Sequence, residues 1–257
     1  MKPLLAAAAG FAATRVPAPR GARWERMNYR GEPVSLSGGV SAAAGALAGA
    51  LAAPAPVRWA AVIAGSAGAA AGYIDDHEES RFATAKGLHG HLSSLAHGRV
   101  TTGVLKIAVI GIGAGAGAAL LGQPDRKIGD WAVRCVAIAG TANLINLLDL
   151  RPGRALKATV LGAVIASRHA SPVSAGLLGM IAGTIPSDLS GRTMLGDLGA
   201  NAAGGVLGVA LAAHPSRRVR AASAGAVTAL ILASEKVSFS RIIDQSPVLS
   251  TMDEWGR

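Results

Sequence analysis

The sequence predicts an all-α membrane protein, a polytopic bundle of about eight or nine transmembrane helices. Hydrophobic residues make up 51% of its 257 residues, 34 residues are glycine, and only 16% are charged. Soluble domains carry about 25% charged residues, so this chain is poor in charge. Its charged residues collect between apolar stretches. These observations together favour helices that cross a bilayer.

Nine apolar runs account for the predicted helices. Several are shorter than the roughly 20 residues that span a hydrocarbon core, and alanine and glycine dominate them. Residues 1–234 are predicted to form one transmembrane domain with cytoplasmic active-site loops, and residues 235–257 a cytoplasmic or interfacial tail. The runs are Leu4–Ala13, Gly38–Ala53, Val57–Ile74, Val104–Leu121, Trp131–Leu148, Ala155–Ser167, Val173–Ile185, Ala200–Ala213 and Ala221–Ala233.

The first run admits a second interpretation. Lys2, the short apolar stretch and the small residues before Arg20 resemble a secretory signal peptide. Cleavage would place the arginine-rich residues 15–30 outside the cell, against the positive-inside rule. A first helix is therefore the favoured interpretation.

The distribution of lysine and arginine predicts the topology. The first, third and fifth connections between runs are richer in cations than most of the even ones. The positive-inside rule then places the odd connections in the cytoplasm, in a multi-pass protein of the cell membrane. The net charge of +10 comes without a basic domain or interleaved aromatic residues, which argues against nucleic acid as a partner.

Glycine clusters predict close helix packing. Residues 111–117 superficially resemble a dinucleotide-binding loop, but no strand precedes them and their flanks are continuously apolar. Gly113 and Gly117, and likewise Gly204 and Gly208, have the spacing that lets transmembrane backbones approach each other.

Polar segments interrupt the apolar pattern at four places, all on odd connections. Odd connections share one membrane face, so the four segments are predicted to form a single cytoplasmic site. Carboxylates at a bilayer boundary are costly to place and commonly functional. The segments are residues 28–39, the pair Asp75 and Asp76 with Lys86, residues 143–149, and residues 194–201.

The side chains of these segments suit Mg²⁺ and a phosphate-bearing ligand. Mg²⁺ prefers oxygen ligands and is usually held by one or two carboxylates together with substrate phosphates. Four aspartates can supply such oxygens, two asparagines one helical turn apart can orient a carboxylate or phosphate, and a lysine can neutralise phosphate charge. These residues are Asp75, Asp76, Asp149, Asp197, Asn143, Asn146 and Lys86.

Each of these elements also has a structural interpretation. An acidic pair at a helix end can be solvated, asparagines near the end of a span can hydrogen-bond between helices, and Asp197 can cap the helix after it. His89, His91 and His97 can be solvated loop residues. The agreement of all four segments favours a common site over these separate explanations.

The order of the motifs resembles a known family. The chain reads Gly-x-x-Asp-Asp from residue 72, Lys-Gly-Leu from residue 86, Asn-x-x-Asn-Leu-x-Asp from residue 143 and Met-x-Gly-Asp-x-Gly from residue 194. This order resembles the polyprenyl-phosphate N-acetylhexosamine-1-phosphate transferases. The resemblance implies an inner-membrane enzyme that uses Mg²⁺, or Mn²⁺, to transfer a sugar-1-phosphate from a UDP-sugar to polyprenyl phosphate on the cytoplasmic side, in cell-wall or surface-glycan synthesis.

The resemblance also implies roles for individual residues. Asp75, Asp76 and Asp149 are expected to be catalytic, and Asp197 and Asp76 to hold the metal. Substrate binding is expected of the lysine and asparagines that match the family motifs and of two histidines near that lysine. These residues are Lys86, Asn143, Asn146, His89 and His91.

The sequence departs from the family pattern at two places. Family members usually have Asp-Gly after the motif that ends at Asp149, and a histidine-rich loop between their last two helices. This chain reads Leu-Arg-Pro-Gly-Arg after Asp149, and residues 234–241 contain no histidine. We expect Arg151 or Arg154 to bind the donor diphosphate instead, under cover of the tail, because guanidinium groups form paired hydrogen bonds with phosphate oxygens. The alternative is that both arginines are ordinary cytoplasmic anchors.

Three classes of function stay open. The enzyme is favoured by the retained carboxylates. A non-catalytic relative that binds polyprenyl phosphate or a cell-wall enzyme, as regulator or scaffold, is favoured by the missing histidines. A transporter or channel is disfavoured because the charges cluster at one face rather than at mid-bilayer. The expected partners are polyprenyl phosphate, a nucleotide sugar and the bilayer, and a homodimer is allowed for.

Overall fold

The computed structural model describes residues 1–78, 94, 97, 101–122 and 127–256, and nearly all of its regular structure is α-helical. The all-α class predicted from the sequence is therefore confirmed. Within the described residues, nine helices correspond to the nine apolar runs and two short ones follow in the tail. They are α1 (Lys2–Ala13), α2 (Ser37–Leu51), α3 (Val57–Glu78), α4 (Thr102–Leu121), α5 (Ile128–Leu148), α6 (Arg154–Ala166), α7 (Ser171–Leu189), α8 (Gly196–Ala212), α9 (Arg217–Ser234), α10 (Phe239–Gln245) and α11 (Pro247–Glu254).

Two helices extend beyond the predicted apolar runs into the polar motifs. Helix α3 continues to Glu78, so Asp75 and Asp76 lie in its last turns rather than in the connection after it. Helix α8 begins at Gly196, so Asp197 lies in its first turn. Hydropathy indicates only where a helix is apolar, whereas the backbone hydrogen bonds that define the helix continue into its polar turns. The helix ends therefore carry the candidate site.

Helix α8 lies at the centre of the bundle, with nearly every residue buried. It packs against α2, α3 and α5. A Cβ atom on Gly204 would lie 2.7 Å from the Cα of Ala142, and one on Gly208 would lie 2.7 Å from the Cα of Ile138. Such distances leave room only for hydrogen, so the prediction that these glycines permit close helix packing is confirmed.

The contact between α3 and α8 aligns the polar ends of both helices. Gly68 faces the backbone of Asn201, and Gly72 faces the backbone of Asp197, each too closely to accommodate a Cβ atom. The two helices are thus in backbone contact over a full turn. This contact places the last turn of α3 directly beside the first turn of α8.

A short β-hairpin covers the same end of the bundle. Strand β1 (Glu25–Met27) pairs antiparallel with β2 (Pro33–Ser35), and the Asn28 side chain accepts hydrogen bonds from the backbone of Arg30 at 2.8 Å and Glu32 at 3.0 Å. The Ser35 carbonyl accepts from the Met194 backbone at 2.9 Å. The hairpin is therefore joined to the loop that leads into α8.

Two of the described helices, α4 and α5, are both long and apolar enough to cross a membrane. Helices α1 and α2 are apolar but shorter. The predicted count of eight or nine spans is therefore not established by helix length and hydropathy. Helices α1, α2, α6 and α8 have 12, 15, 13 and 17 residues, fewer than the roughly 20 that span a hydrocarbon core.

We predict that Gly208→Ala destabilises the purified protein by about 1–3 kcal/mol, because the added methyl group collides with the α5 backbone. The measurement is thermal unfolding in detergent. Gly111→Ala is the matched control, since a Cβ there has no neighbour within 4 Å. That variant should be neutral or slightly stabilising, because alanine favours the helix by about 1 kcal/mol. Equal stability of both variants would refute the packing account.

Candidate functional site

The polar helix ends meet at one end of the bundle. Asp75 comes from the last turns of α3, Asn146 from the last turn of α5, and Asp197 from the first turn of α8. Their side chains converge on the ammonium group of Lys106. Residues from three of the four polar segments predicted to share a site therefore do lie together.

Lys106 connects these side chains. Its Nζ atom donates to Asp75 Oδ2 at 3.1 Å and forms a short contact with Asp197. With the Asn146 amide oriented to satisfy both neighbours, its oxygen accepts from Lys106 at 2.8 Å and its nitrogen donates to Asp197 Oδ1 at 2.9 Å. The Lys106 side chain is only 12% exposed. Two carboxylates and an amide thus share one buried cation.

Sequence reasoning missed Lys106, because the residue lies inside the fourth apolar run. A signal was nevertheless present. A single cation within an otherwise apolar helix is costly unless it is paired, so its presence alone predicts a partner carboxylate.

Asp76 caps helix α8. Its Oδ1 accepts from the Asp197 backbone at 3.2 Å, and its Oδ2 accepts from the Leu198 backbone at 3.0 Å. Gly196 precedes this turn with a φ of +58°, and a Cβ there would lie 3.0 Å from Asp76 Oδ2. The structure therefore gives Asp76 a capping role across a helix interface. The metal and catalytic roles expected of Asp76 stay predictions. The side-chain cap at the start of α8, for which Asp197 was the candidate, is provided by Asp76 instead.

Asp149 is a buried carboxyl group between the helix ends. It follows α5 directly and accepts a hydrogen bond from the Gly196 backbone, while its Oδ2 atom has no hydrogen-bond partner among the described residues. Burial, together with the negative charge of nearby Asp188, raises the pKa of Asp149 well above its usual value. Asp188, at the end of α7, is also buried and was not identified from the sequence.

A cleft with two adjoining cavities opens beside these carboxyl groups. A cavity of about 370 Å³ is lined by Asp76, Asn146, Asp149 and Asp197. A second of about 290 Å³ is lined by the hairpin and by polar residues of the loops after α5 and α7. Asp149 borders both cavities, so its side chain lies between them.

Arg151 lines the second cavity but is held by the tail. Its guanidinium pairs with both carboxylate oxygens of Asp244, at 2.7 and 2.8 Å, and lies 5.3 Å from the centre of the Tyr29 ring. The residue predicted to bind the donor diphosphate is thus at the cleft, with part of its hydrogen-bonding capacity already used.

Arg154 is placed differently. It is buried, with two nitrogens donating to Asp253 at 2.8 and 2.9 Å and a third to Ser240 at 2.9 Å. The Arg154 guanidinium is thus taken up by the tail, and the expectation that it binds the donor diphosphate stays a prediction. No local pattern in the sequence signals a pair formed across 99 positions.

The remaining predicted residues contribute less to the described site. Asn143 lies one turn before Asn146 on α5 and makes no side-chain hydrogen bond with the described residues. Lys86, His89 and His91 lie outside the described residues. Within the described ranges, no three histidine, cysteine, aspartate or glutamate side chains are grouped so as to hold a metal ion.

Comparison with known proteins adds no family assignment. No protein-family model matches the chain, and no curated protein is significantly similar to it.

Proposed function

We propose that the chain is a multi-pass membrane enzyme that transfers a sugar-1-phosphate from a nucleotide sugar to polyprenyl phosphate, with Mg²⁺ as cofactor. The observation that carries the proposal is the convergence of Asp75, Asn146 and Asp197 on Lys106 beside an open cleft. These side chains belong to the motifs that resemble the transferase family. Their proximity is what a shared phosphate-handling site requires.

Helices α4 and α5 support the membrane location. Only 28% and 33% of their most apolar windows are buried inside the protein. Large apolar side chains such as Ile107 and Ile112 are exposed as a result. Lipid would cover such surfaces, whereas water would not stabilise them.

The residues present fit Mg²⁺. The carboxyl groups at the cleft offer oxygen ligands, and Asp149 Oδ2 is buried without a partner in the described part of the chain. Asp197 and Asp149 would hold the ion, with substrate phosphates and water completing its shell. Bound there, Mg²⁺ would offset the charge of the donor diphosphate.

The protein groups would act by positioning and electrostatics. Lys106 holds Asp75 and Asp197 in place and would attract a phosphate oxygen entering the cleft. An oxygen of the lipid phosphate would attack the donor's β-phosphate, forming a new phosphoanhydride bond and releasing UMP.

A second function is favoured by specific contacts. Lys106 already neutralises Asp75 and Asp197, and Asp76 is engaged by the α8 backbone. In a relative that binds polyprenyl phosphate without catalysis, these charged groups would likewise be paired with one another. The two functions differ in whether UMP is released.

We predict that the protein in polyprenyl phosphate micelles releases UMP from at least one UDP-sugar only when Mg²⁺ is present. Asp197→Asn should lower that rate by about a hundredfold or more, because it removes a charge at nearly constant volume. Glu235→Gln, at an exposed position after α9, is the control and should not change the rate. Lipid binding without UMP release from any donor would favour the non-catalytic function.

Lys106→Met is predicted to abolish transfer and to make the stabilisation by Mg²⁺ larger than it is in the wild type. Without the ammonium group, Asp75 and Asp197 repel each other, and a bound cation would stabilise the native state by mass action. The measurement is the melting temperature with and without Mg²⁺. Lys127→Met, at the exposed start of α5, is the matched control. An unchanged response of the Lys106 variant to Mg²⁺ would contradict the electrostatic role assigned to this lysine.

The topology can be tested with single cysteines in a Cys135→Ala background. Ser190→Cys, at the site end of the bundle, should react with an impermeant maleimide only from the cytoplasmic side. Arg168→Cys, in the connection between α6 and α7, should react only from the opposite side. Reaction of both cysteines from one side would rule out the proposed orientation.

A further inference from the structure

The tail helices α10 and α11 are held against the bundle by cations near the start of α6. Arg151 pairs with Asp244 at 2.7 Å, Arg154 pairs with Asp253 at 2.8 Å, and Lys157 donates to the backbone carbonyl of Asp253 at 2.7 Å. The pair of Arg154 and Asp253 is nearly inaccessible, with both side chains 5% exposed. These contacts fix which face of α11 points inward.

The opposite face of α11 is apolar and uncovered. Asp253 is the only buried residue of this helix. Val248 and Met252, one turn apart in α11, point away from Asp253, and Trp255 follows directly after the last helical residue. These three side chains are 69%, 62% and 77% exposed. Three large apolar side chains in one row need a cover that the described protein does not supply.

Charge indicates what that cover is. Lys236 and Arg241, in the same tail, are exposed, and the whole chain carries a net charge of +10. Helix α11 itself carries no cation: Asp253 is paired with Arg154, and Glu254 is exposed, so the cations that could meet headgroups are those of the preceding tail segment. An apolar row that ends in a tryptophan and follows such cations is typical of a segment that lies in the headgroup layer of an anionic membrane. A soluble protein partner would be expected to offer carboxylates to these cations and an apolar groove to the row.

The position of the tail agrees with a lipid cover. Its three anchoring cations follow the end of α5, one of the two helices long enough to span a bilayer, by three to nine residues. The tail therefore lies near the level at which the hydrocarbon region would end.

We propose that Val248 and Met252 of α11, together with Trp255 directly after it, rest on the membrane interface, with Lys236 and Arg241 binding anionic lipid headgroups. The proposal rests on the membrane location in the proposed function and not on catalysis. It also gives the tail a role at the cleft. Asp244, held near the bilayer, fixes Arg151 over Tyr29 at the border of the second cavity.

The test uses single-tryptophan versions of the full chain in nanodiscs of equal parts phosphatidylcholine and phosphatidylglycerol. One version retains only Trp255, and another retains only Trp59, which is half exposed near the start of α3. The remaining tryptophans are replaced by phenylalanine. Quenching is measured with lipids brominated near the headgroup and, separately, with iodide in solution. We expect brominated lipid to quench the fluorescence of Trp255 about as strongly as that of Trp59. We expect iodide to quench the fluorescence of Trp255 only weakly.

A matched variant removes the apolar row without touching the anchoring face. Val248→Gln with Met252→Gln should reduce lipid quenching of Trp255 and leave that of Trp59 unchanged. Replacing phosphatidylglycerol with phosphatidylcholine should weaken Trp255 quenching as well, because the headgroup charge is lost.

Two outcomes overturn the proposal while leaving the membrane location intact. Strong iodide quenching of Trp255 with lipid quenching confined to Trp59 would show that the row faces water. Protection of Trp255 from both quenchers would show that a protein, either a second copy or another partner, covers it. Absence of lipid quenching at Trp59 would instead refute the membrane location, and the tail proposal with it.

Discussion

The close approach of α3 to α8 is the constraint on which the candidate site depends. Glycines at positions 68 and 72 let the two backbones touch, and this contact brings the carboxyl end of one helix against the amino end of the other. Asp76 can then cap α8 from a different helix, and Asp75 and Asp197 can reach a common cation. A bulkier residue at position 72 would separate all of these groups at once.

Hydropathy alone predicted the helices because each buries or exposes a continuous apolar surface. It did not predict where they end, since the last turns of α3 and the first turn of α8 are polar but still hydrogen-bonded as helix. Glycine spacing correctly indicated the contact of Gly204 and Gly208 with α5, because only packing explains such spacing in an apolar segment. The number of membrane spans did not follow, because several of the apolar helices, such as α1 and α2, are shorter than the roughly 20 residues that span a hydrocarbon core.

The sequence predicted those site residues that stand out as polar positions at the ends of apolar runs. Asp75, Asn146 and Asp197 interrupt apolar runs at corresponding ends, and they do come together. Lys106 was hidden because one lysine barely changes the hydropathy of its run. The pairing of Arg154 with Asp253 was hidden for another reason, since ion pairs between distant segments depend on tertiary docking and leave no local pattern.

The capping of α8 limits how an anion can be bound. A free helix amino end is a ready phosphate site, because its N–H groups and dipole attract negative charge. Here Asp76 occupies two of those N–H groups. A diphosphate entering the cleft would meet a helix end already neutralised, with three more carboxyl groups nearby. If the proposed function holds, the negative charge of the donor diphosphate is best accommodated when it arrives as a complex with its own counterion. The way in which one helix is capped would then set the order in which metal and nucleotide enter the cleft.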